Sequence, residues 1–237
     1  MELPALHQAA TEGKTSDLKQ LLESGADINE AAKNGSTALI YAAQSNHMEC
    51  VTLLVENGAD VNLTNKIGGT ALNRAAENGN TGMMRFLLEN GAEVGPLAMI
   101  IAAREGKLDA VRLLFEKGAD VNARQSWGQT ALMQAAREGH ADIVRFLIHK
   151  GADVKVKDKN GKNALTMANE NDHIEVTLML RRAGAIEEKS TKKTAPVVPP
   201  EDDEEEDDDD YTPSDDIDTG TEDVADEDAD EPDSGLD

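Results

Sequence analysis

The sequence predicts an all-α solenoid of helix–turn–helix units followed by a disordered acidic tail. One sequence motif recurs along most of the chain, and the negative charge is concentrated at the C-terminal end. The motif is clearest over residues 128–153, GQTALMQAAREGHADIVRFLIHKGAD. Its closing Gly-Ala pair returns at steps of 33, 33, 27, 33 and 33 residues, and a fixed period of that length is typical of stacked repeats. The pairs begin at Gly25, Gly58, Gly91, Gly118, Gly151 and Gly184.

Each full period predicts two helices separated by turns. In the clearest repeat a small-residue helix covers residues 130–137, and a more apolar helix covers residues 142–149, with a glycine turn after each. Alanine and leucine suffice for such an array, because each repeat buries only a thin apolar layer against its neighbours. Threonine at the start of a helix can cap it, and three repeats have one there: Thr37, Thr70 and Thr130.

Three motifs carry a family resemblance. Thr-Ala-Leu begins at each of those threonines, Ala-Ala pairs follow, and Gly-Ala-Asp-Val-Asn begins at Gly58 and Gly118. In these motifs the chain resembles the ankyrin repeat, which has Thr-Pro-Leu-His at the first position. The resemblance covers residues 3–187 as about six repeats and is closest in repeats two, three and five, at 30–62, 63–94 and 122–154. It implies a domain over residues 1–187 whose helix pairs alternate with short β-hairpin fingers.

Repeats one, four and six depart from the pattern. Repeat one has no preceding hairpin and carries polar Asp17 and Gln20 where later repeats are apolar, as a terminal repeat requires. Repeat six ends in Leu178-Met179-Leu180-Arg181-Arg182, which predicts the closing cap. Repeat four lacks the six residues that would stand between Val94 and Gly95, so we expect it to have no finger and its Gly95-Pro96 turn to lead straight into a helix.

The chain beyond the repeats predicts disorder. Residues 201–237 contain 22 Asp and Glu and no Lys or Arg, so the remaining 25 acidic residues are nearly balanced by 23 basic ones. Such a run cannot bury enough apolar surface to fold, and residues 188–237 are predicted to form a linker and an acidic tail. Asp226 to Asp237 starts like a calcium loop, but Glu231 occupies the required glycine position, so no formed EF-hand is expected.

No arrangement of side chains predicts catalysis, a metal or a cofactor. His7, His47, His140 and His173 recur with the repeats, which places them roughly 10 Å apart, too far to share one ion; they are expected to tie turns together. Cys50 aligns with the core position of Ile143, which favours a buried, inert thiol over a nucleophile. The protein is therefore predicted not to be an enzyme.

The family resemblance places the binding surface on the fingers and on the exposed face of the first helices. Trp127 is the only tryptophan and lies at a predicted finger tip beside arginines, which is the composition of a binding hot spot. The alternative is that it folds over the gap left by repeat four. The predicted partner-binding residues are Trp127, Arg124, Arg137, Glu138, Gln129, Arg104, Lys159, Lys162, Lys66, Ile67, Lys33 and Tyr41.

Two functions remain open on sequence alone. In the first, the protein is a scaffold, adaptor or regulator whose concave surface binds a partner protein. In the second, the acidic tail is a chaperone or mimic that binds basic proteins while the repeats target it. The tail is also expected to make a weak contact with the cations of its own C-terminal repeat. We expect a soluble monomer of the cytoplasm, or of the nucleus in a eukaryote, with no direct contact to nucleic acid or membrane.

Overall fold

The computed structural model describes residues 3–186, and these form twelve α-helices in six consecutive pairs, with no β-strand among them. The predicted all-α class is confirmed. The expectations for the linker, the acidic tail, its calcium-loop-like segment and its contact with the last repeat concern residues outside this range.

The two helices of each repeat form two rows. The first helices are α1 (Ala5–Glu12), α3 (Ala38–Gln44), α5 (Ala71–Asn78), α7 (Pro96–Arg104), α9 (Ala131–Glu138) and α11 (Ala164–Glu170). The second helices are α2 (Thr15–Glu23), α4 (Met48–Glu56), α6 (Thr81–Glu89), α8 (Leu108–Glu116), α10 (Ala141–His149) and α12 (Ile174–Arg182).

Polar side chains start four of the six first helices. Thr37, Thr70 and Thr130 each accept a hydrogen bond from the backbone N–H three residues further on, at 3.4, 3.2 and 3.3 Å, as the sequence predicts. Asn163 caps α11 in the same way at 2.9 Å, which the sequence analysis did not anticipate. Helix α7 begins at Pro96 directly after Gly95, so repeat four passes from a turn into its helix as expected.

Small residues set the spacing of the repeats. Helices α3, α5, α7 and α9 each carry two adjacent alanines that are fully buried. Because alanine adds little width, neighbouring first helices contact one another more extensively than neighbouring second helices do. This closer spacing makes the first-helix side the inner, concave face of the array. The apolar layer includes Leu39, Leu72, Met99, Leu132 and Leu165, each at most 1% exposed.

Histidines tie consecutive repeats together. The Nε2 atom of His47 donates to the carbonyl of Thr11 at 3.0 Å. His140 and His173 make the same bond at 2.9 Å to the carbonyls of Arg104 and Arg137. Each of these rings also lies against the turn glycine of the preceding repeat. The predicted structural role of these histidines is confirmed, and His7 shares it by donating to the Glu30 carbonyl at 3.0 Å.

Asparagines after the second helices make another tie. Asn29 Oδ1 accepts from the N–H of Asp60 at 2.9 Å, and Asn62 Oδ1 accepts from the N–H of Glu93 at 2.9 Å. Asn122 repeats the bond with Asp153 at 2.8 Å. The position that follows repeat three is Gly95, which has no side chain to make it, so the series is interrupted there.

The single cysteine is part of the core. Cys50 is fully buried, and its Sγ atom lies 3.7 Å from the hydroxyl of Thr15. Burial raises the pKa of the Cys50 thiol, because the thiolate would lose its hydration. A thiol that is both inaccessible and poorly ionised is inert, which agrees with the sequence prediction.

We therefore expect a thiol reagent to modify native Cys50 at least about a hundredfold more slowly than the urea-unfolded chain, because the reaction must await opening of the core. The measurement is the rate of disulfide exchange with an aromatic disulfide at neutral pH. A matched control is Ser126→Cys in a Cys50→Ala background, which places the thiol on an exposed finger and should react at the unfolded-state rate. Equal rates for native Cys50 and the control would contradict a buried thiol.

Candidate protein-binding surface

Four tight turns project beside the first helices, and we call them fingers two, three, five and six after their repeats. Each is closed by two backbone hydrogen bonds: one of 2.9 to 3.0 Å joins the first and last residues of the finger, and one of 2.7 to 3.0 Å joins the carbonyl of the first residue to the N–H of the glycine three residues on. A glycine in the left-handed conformation, such as Gly128 with φ of 77°, completes the turn before the chain returns. The loops are too short for a ladder of strand hydrogen bonds, which is why the predicted hairpins contain no strand. The fingers span residues 32–36, 65–69, 125–129 and 158–162.

The fingers are joined in two pairs. The N–H of Lys66 in finger three donates to the Asn34 carbonyl in finger two at 3.0 Å. The N–H of Lys159 in finger six donates to the Trp127 carbonyl in finger five at 3.0 Å. Repeat four supplies no finger between the pairs. We call the resulting gap, between finger three and finger five, the notch.

Trp127 is 63% exposed at the tip of finger five. Its ring centroid lies 5.8 Å from the ammonium of Lys159 in the next finger, a cation–π contact. A ring folded over the notch would be largely covered, so this exposure favours the first of the two sequence alternatives. Ile67, at the same position of finger three, is 79% exposed.

Arg124 holds finger five in place. Its Nε atom donates to the Gly128 carbonyl at 3.0 Å, and one terminal nitrogen donates to the carbonyl of Lys157 in the neighbouring repeat. Two of its three nitrogens are therefore used inside the array. Arg124 therefore fixes the finger that carries Trp127. Its predicted contact with a partner would have to use the guanidinium N–H groups that these two bonds leave over.

Ion pairs follow the ends of the first helices on the inner face. Arg104 bonds Glu105 at 2.8 Å and Arg137 bonds Glu138 at 2.8 Å, while Lys162 bonds Glu170 at 2.7 Å. Because all six side chains are substantially exposed, each pair contributes about 0–1 kcal/mol and exchanges readily for a charged group of a ligand. To contact a partner as predicted, these residues must exchange their present ion-pair partner for a charged group of the ligand.

An amide network lies at the base of finger five. The Oε1 atom of Gln129 accepts from the side chains of Gln125 at 2.6 Å and Gln134 at 2.7 Å. Gln134 is 3% exposed, and its own Oε1 has no hydrogen-bond partner in the described part of the chain. The predicted binding residue Gln129 thus also braces the finger from below.

The remaining predicted residues lie at the other end of the surface. Tyr41 is half-buried, its hydroxyl accepts from the Asn34 side chain at 3.0 Å, and its ring meets His7 edge-on at 5.7 Å between centroids. Tyr41 and Lys33 line a hollow of about 440 Å³ beside Leu3. The structure therefore divides the predicted site into a group around Tyr41, a group around Trp127, and the notch between them, flanked by Lys66, Ile67 and Arg104.

The described residues offer no group of three or more His, Cys, Asp or Glu side chains that could hold a metal ion. Nor do residues 3–186 include a helix that is long and apolar enough to cross a membrane.

The sequence matches the family of "Ankyrin repeats (3 copies)" over residues 6–98 and again over residues 99–192. The chain belongs to the ankyrin-repeat family. Repeats of this family generally serve as protein–protein interaction modules, and the fingers and inner face described above are the surface this chain offers.

Solved structures share the fold. The ankyrin-repeat domain of human ASB11 is 27% identical, with a TM-score of 0.71 over 78% of this chain and 86% of that one. An ankyrin-repeat domain from Acinetobacter baumannii is 32% identical, with a TM-score of 0.65 over 76% and 98%. A chain from the complex of the predatory endopeptidase Bd0816 of Bdellovibrio bacteriovorus with immunity protein Bd3460 is 30% identical, with a TM-score of 0.67 over 75% and 97%.

A curated relative matches only locally. The platypus (Ornithorhynchus anatinus) cortactin-binding protein 2 is 51% identical over 49 residues, which are 20% of this chain. The matched segment is about 3% of that protein's length, so this chain spans only a small part of it.

Proposed function

We propose that the array is a non-catalytic scaffold or adaptor that binds a partner protein on its inner face, with residues 1–187 as the binding domain. The observation that supports this most is Trp127, a large ring left 63% exposed on a finger that is itself fixed by hydrogen bonds. A rigidly held aromatic residue loses little entropy on binding, and such residues dominate the affinity of protein interfaces.

The centre of the interface is proposed to lie in repeats four to six. Trp127 stands there beside Lys159, in the same repeat as Arg137 and one repeat from Arg104, so apolar burial and directed hydrogen bonds can combine. The group around Tyr41 and Lys33 would extend the contact without dominating it. The acidic tail has a solubilising or regulatory role in this proposal.

Trp127→Ala is expected to weaken partner binding by about 2 kcal/mol or more, roughly thirtyfold, because it removes the hot-spot ring. The measurement is capture of proteins by the tagged full chain from its own cells, with retained proteins quantified against the variant. Ile174→Ala is the matched control, because Ile174 is 74% exposed on a second helix, away from the fingers.

Two further variants decide between alternatives. If Trp127→Ala left capture unchanged while Lys33→Ala with Lys66→Ala abolished it, the interface would be centred at the other end. Deleting residues 188–237 should leave the partner bound. Loss of all capture on that deletion would favour the tail as a binder of basic proteins.

A further inference from the structure

The notch leaves two backbone groups without a hydrogen-bond partner among residues 3–186. In each finger pair, a tip N–H donates to the tip carbonyl of the preceding finger, as Lys159 does to Trp127. With no finger in repeat four, the Ile67 carbonyl has no donor and the Ser126 N–H has no acceptor within residues 3–186. These are the two halves of the bonds that an intervening finger would complete.

The two fingers that border the notch also carry the apolar tips. At the same tip position, fingers two and six have Asn34 and Asn160, whereas fingers three and five have Ile67 and Trp127. Both apolar side chains are mostly exposed. Lys159 lies over one face of the Trp127 ring from the repeat-six side, so the opposite face is turned away from repeat six. Apolar side chains therefore flank the gap on both sides.

The charge at the flanking fingers is positive. Lys66 stands beside Ile67 in finger three, and neither finger three nor finger five contains a carboxylate. In finger six, Asp158 is 7% exposed and accepts from the N–H groups of Asn160 and Lys162. A ligand that enters between these two fingers therefore meets the ammonium group of Lys66 and no carboxylate from the fingers themselves.

From these observations we propose that the notch binds a tight turn of a partner protein, which takes the place of the finger missing from repeat four. The turn carries an apolar residue at its tip, with an acidic residue next to it. Its N–H donates to the Ile67 carbonyl, its carbonyl accepts from the Ser126 N–H, and its apolar side chain packs between Ile67 and Trp127. Two repeats are roughly 20 Å apart, which leaves the width of one finger. The inference deepens the proposed function and rests on it.

The test uses nine-residue peptides with the sequence of residues 62–70, the segment that forms finger three and folds as such a turn. The first peptide carries Lys66→Glu, the second keeps the lysine, and the third carries Lys66→Glu with Ile67→Asn. Because Trp127 is the only tryptophan, its emission in the full-length protein reports on the notch directly. Amide NMR shifts locate the site independently.

We expect the first peptide to bind saturably with a dissociation constant on the order of 1 mM, as suits two hydrogen bonds and one buried side chain. The lysine peptide should bind several-fold more weakly at low salt, because it repels Lys66. The asparagine peptide should bind at least about tenfold more weakly, because it lacks the apolar tip. Equal affinity for all three peptides, or shifts centred on Tyr41, would overturn the proposal.

Variants of the protein complete the test. Ile67→Asn should weaken the first peptide several-fold, and Asn160→Ala, at the far finger, should leave it unchanged. Replacing Gly95-Pro96-Leu97 by residues 62–70 restores the finger; this variant should lose peptide binding and shift the Trp127 emission to the blue. If it does not fold, the contrast between Ile67→Asn and Asn160→Ala decides the matter. A single-stranded oligonucleotide is tested in the same way. If it shifted the same amide resonances and bound with higher affinity than the peptide, the assignment to a protein partner would be overturned.

The outcomes separate the two proposals. If Trp127→Ala abolishes capture of the cellular partner but restoring the finger does not, a partner surface exists on the inner face and the notch is not its centre. If neither Trp127→Ala nor Lys33→Ala with Lys66→Ala weakens capture, the proposed function fails whatever the peptides do.

Discussion

Leu132→Ala is expected to lower the free energy of unfolding by about 2–5 kcal/mol, which is a large part of the stability of a domain. Leu132 is 1% exposed in α9 and fills the apolar layer between helices of adjoining repeats. Removing three carbons there leaves a cavity that short, closely spaced helices cannot close without losing other contacts. Alanine is itself a good helix former, so the cost arises from packing.

The measurement is urea unfolding of the full chain followed by two signals. Circular dichroism reports on the twelve helices of residues 3–186, and the emission of Trp127 reports on repeat five, which also contains Leu132. In an array whose repeats contact only their neighbours, a weakened repeat can unfold before the rest, so the fluorescence transition should move at least as far as the dichroism transition. Leu178→Ala, at a position 47% exposed, is the matched control and should change stability by no more than about 0.5 kcal/mol. If both variants lowered the free energy of unfolding by similar amounts, packing of this apolar layer would not be the main source of stability.

Gly139→Ala is expected to cost about 2–4 kcal/mol, from two separate causes. Gly139 has φ of 79°, and an alanine held there is strained by about 1–2 kcal/mol. Its Cβ would also come within 2.6 Å of the His173 ring, which must move and thereby weaken its hydrogen bond to the Arg137 carbonyl. That bond contributes about 0.5–1.5 kcal/mol, and the packing of the ring is lost with it.

Gly151→Ala separates the two causes. Gly151 has φ of 86°, and an added Cβ would meet nothing within 4 Å, so this variant should show the backbone strain alone. Combining Gly139→Ala with His173→Ala should cost less than the sum of the single variants, because the clash disappears with the ring. Equal effects at both glycines, or full additivity, would show that the ring is not a fixed tie.

The sequence predicted the helices, the caps at Thr37, Thr70 and Thr130, the histidine ties and the gap in repeat four, because each depends on the identity of one residue type at one place in a period. It did not predict the cap at Asn163 or the bonds of Asn62 and Asn122 to the next repeat, although asparagine recurs visibly after Gly-Ala-Asp-Val. Asparagine has many roles in turns, so recurrence alone does not reveal which atom it bonds.

The binding surface was less predictable than the fold. Sequence reasoning placed Trp127 on a finger, but whether it stands free or covers the gap depends on side-chain directions that only packing decides. Arg124 remains a predicted partner contact, but the sequence did not show that two of its nitrogens also bind carbonyls of the array itself. Arginine and lysine side chains on short loops often reach nearby backbone carbonyls, and the amino-acid composition does not reveal which carbonyls they bind.

The junction between repeats three and four lacks all three recurring ties. Gly95 stands where an asparagine tie would be, Lys107 replaces the histidine against Gly79, and the finger is absent. Within residues 3–186 the polar link across it is the ion pair of Arg104 and Glu77, at 3.8 Å. Elasticity should therefore concentrate there, with each set of three repeats behaving as a stiffer block. Under tension, or on binding a wide ligand, the array would bend first at the junction between repeats three and four. The distance between Ile67 and Trp127 would then change before other distances along the surface.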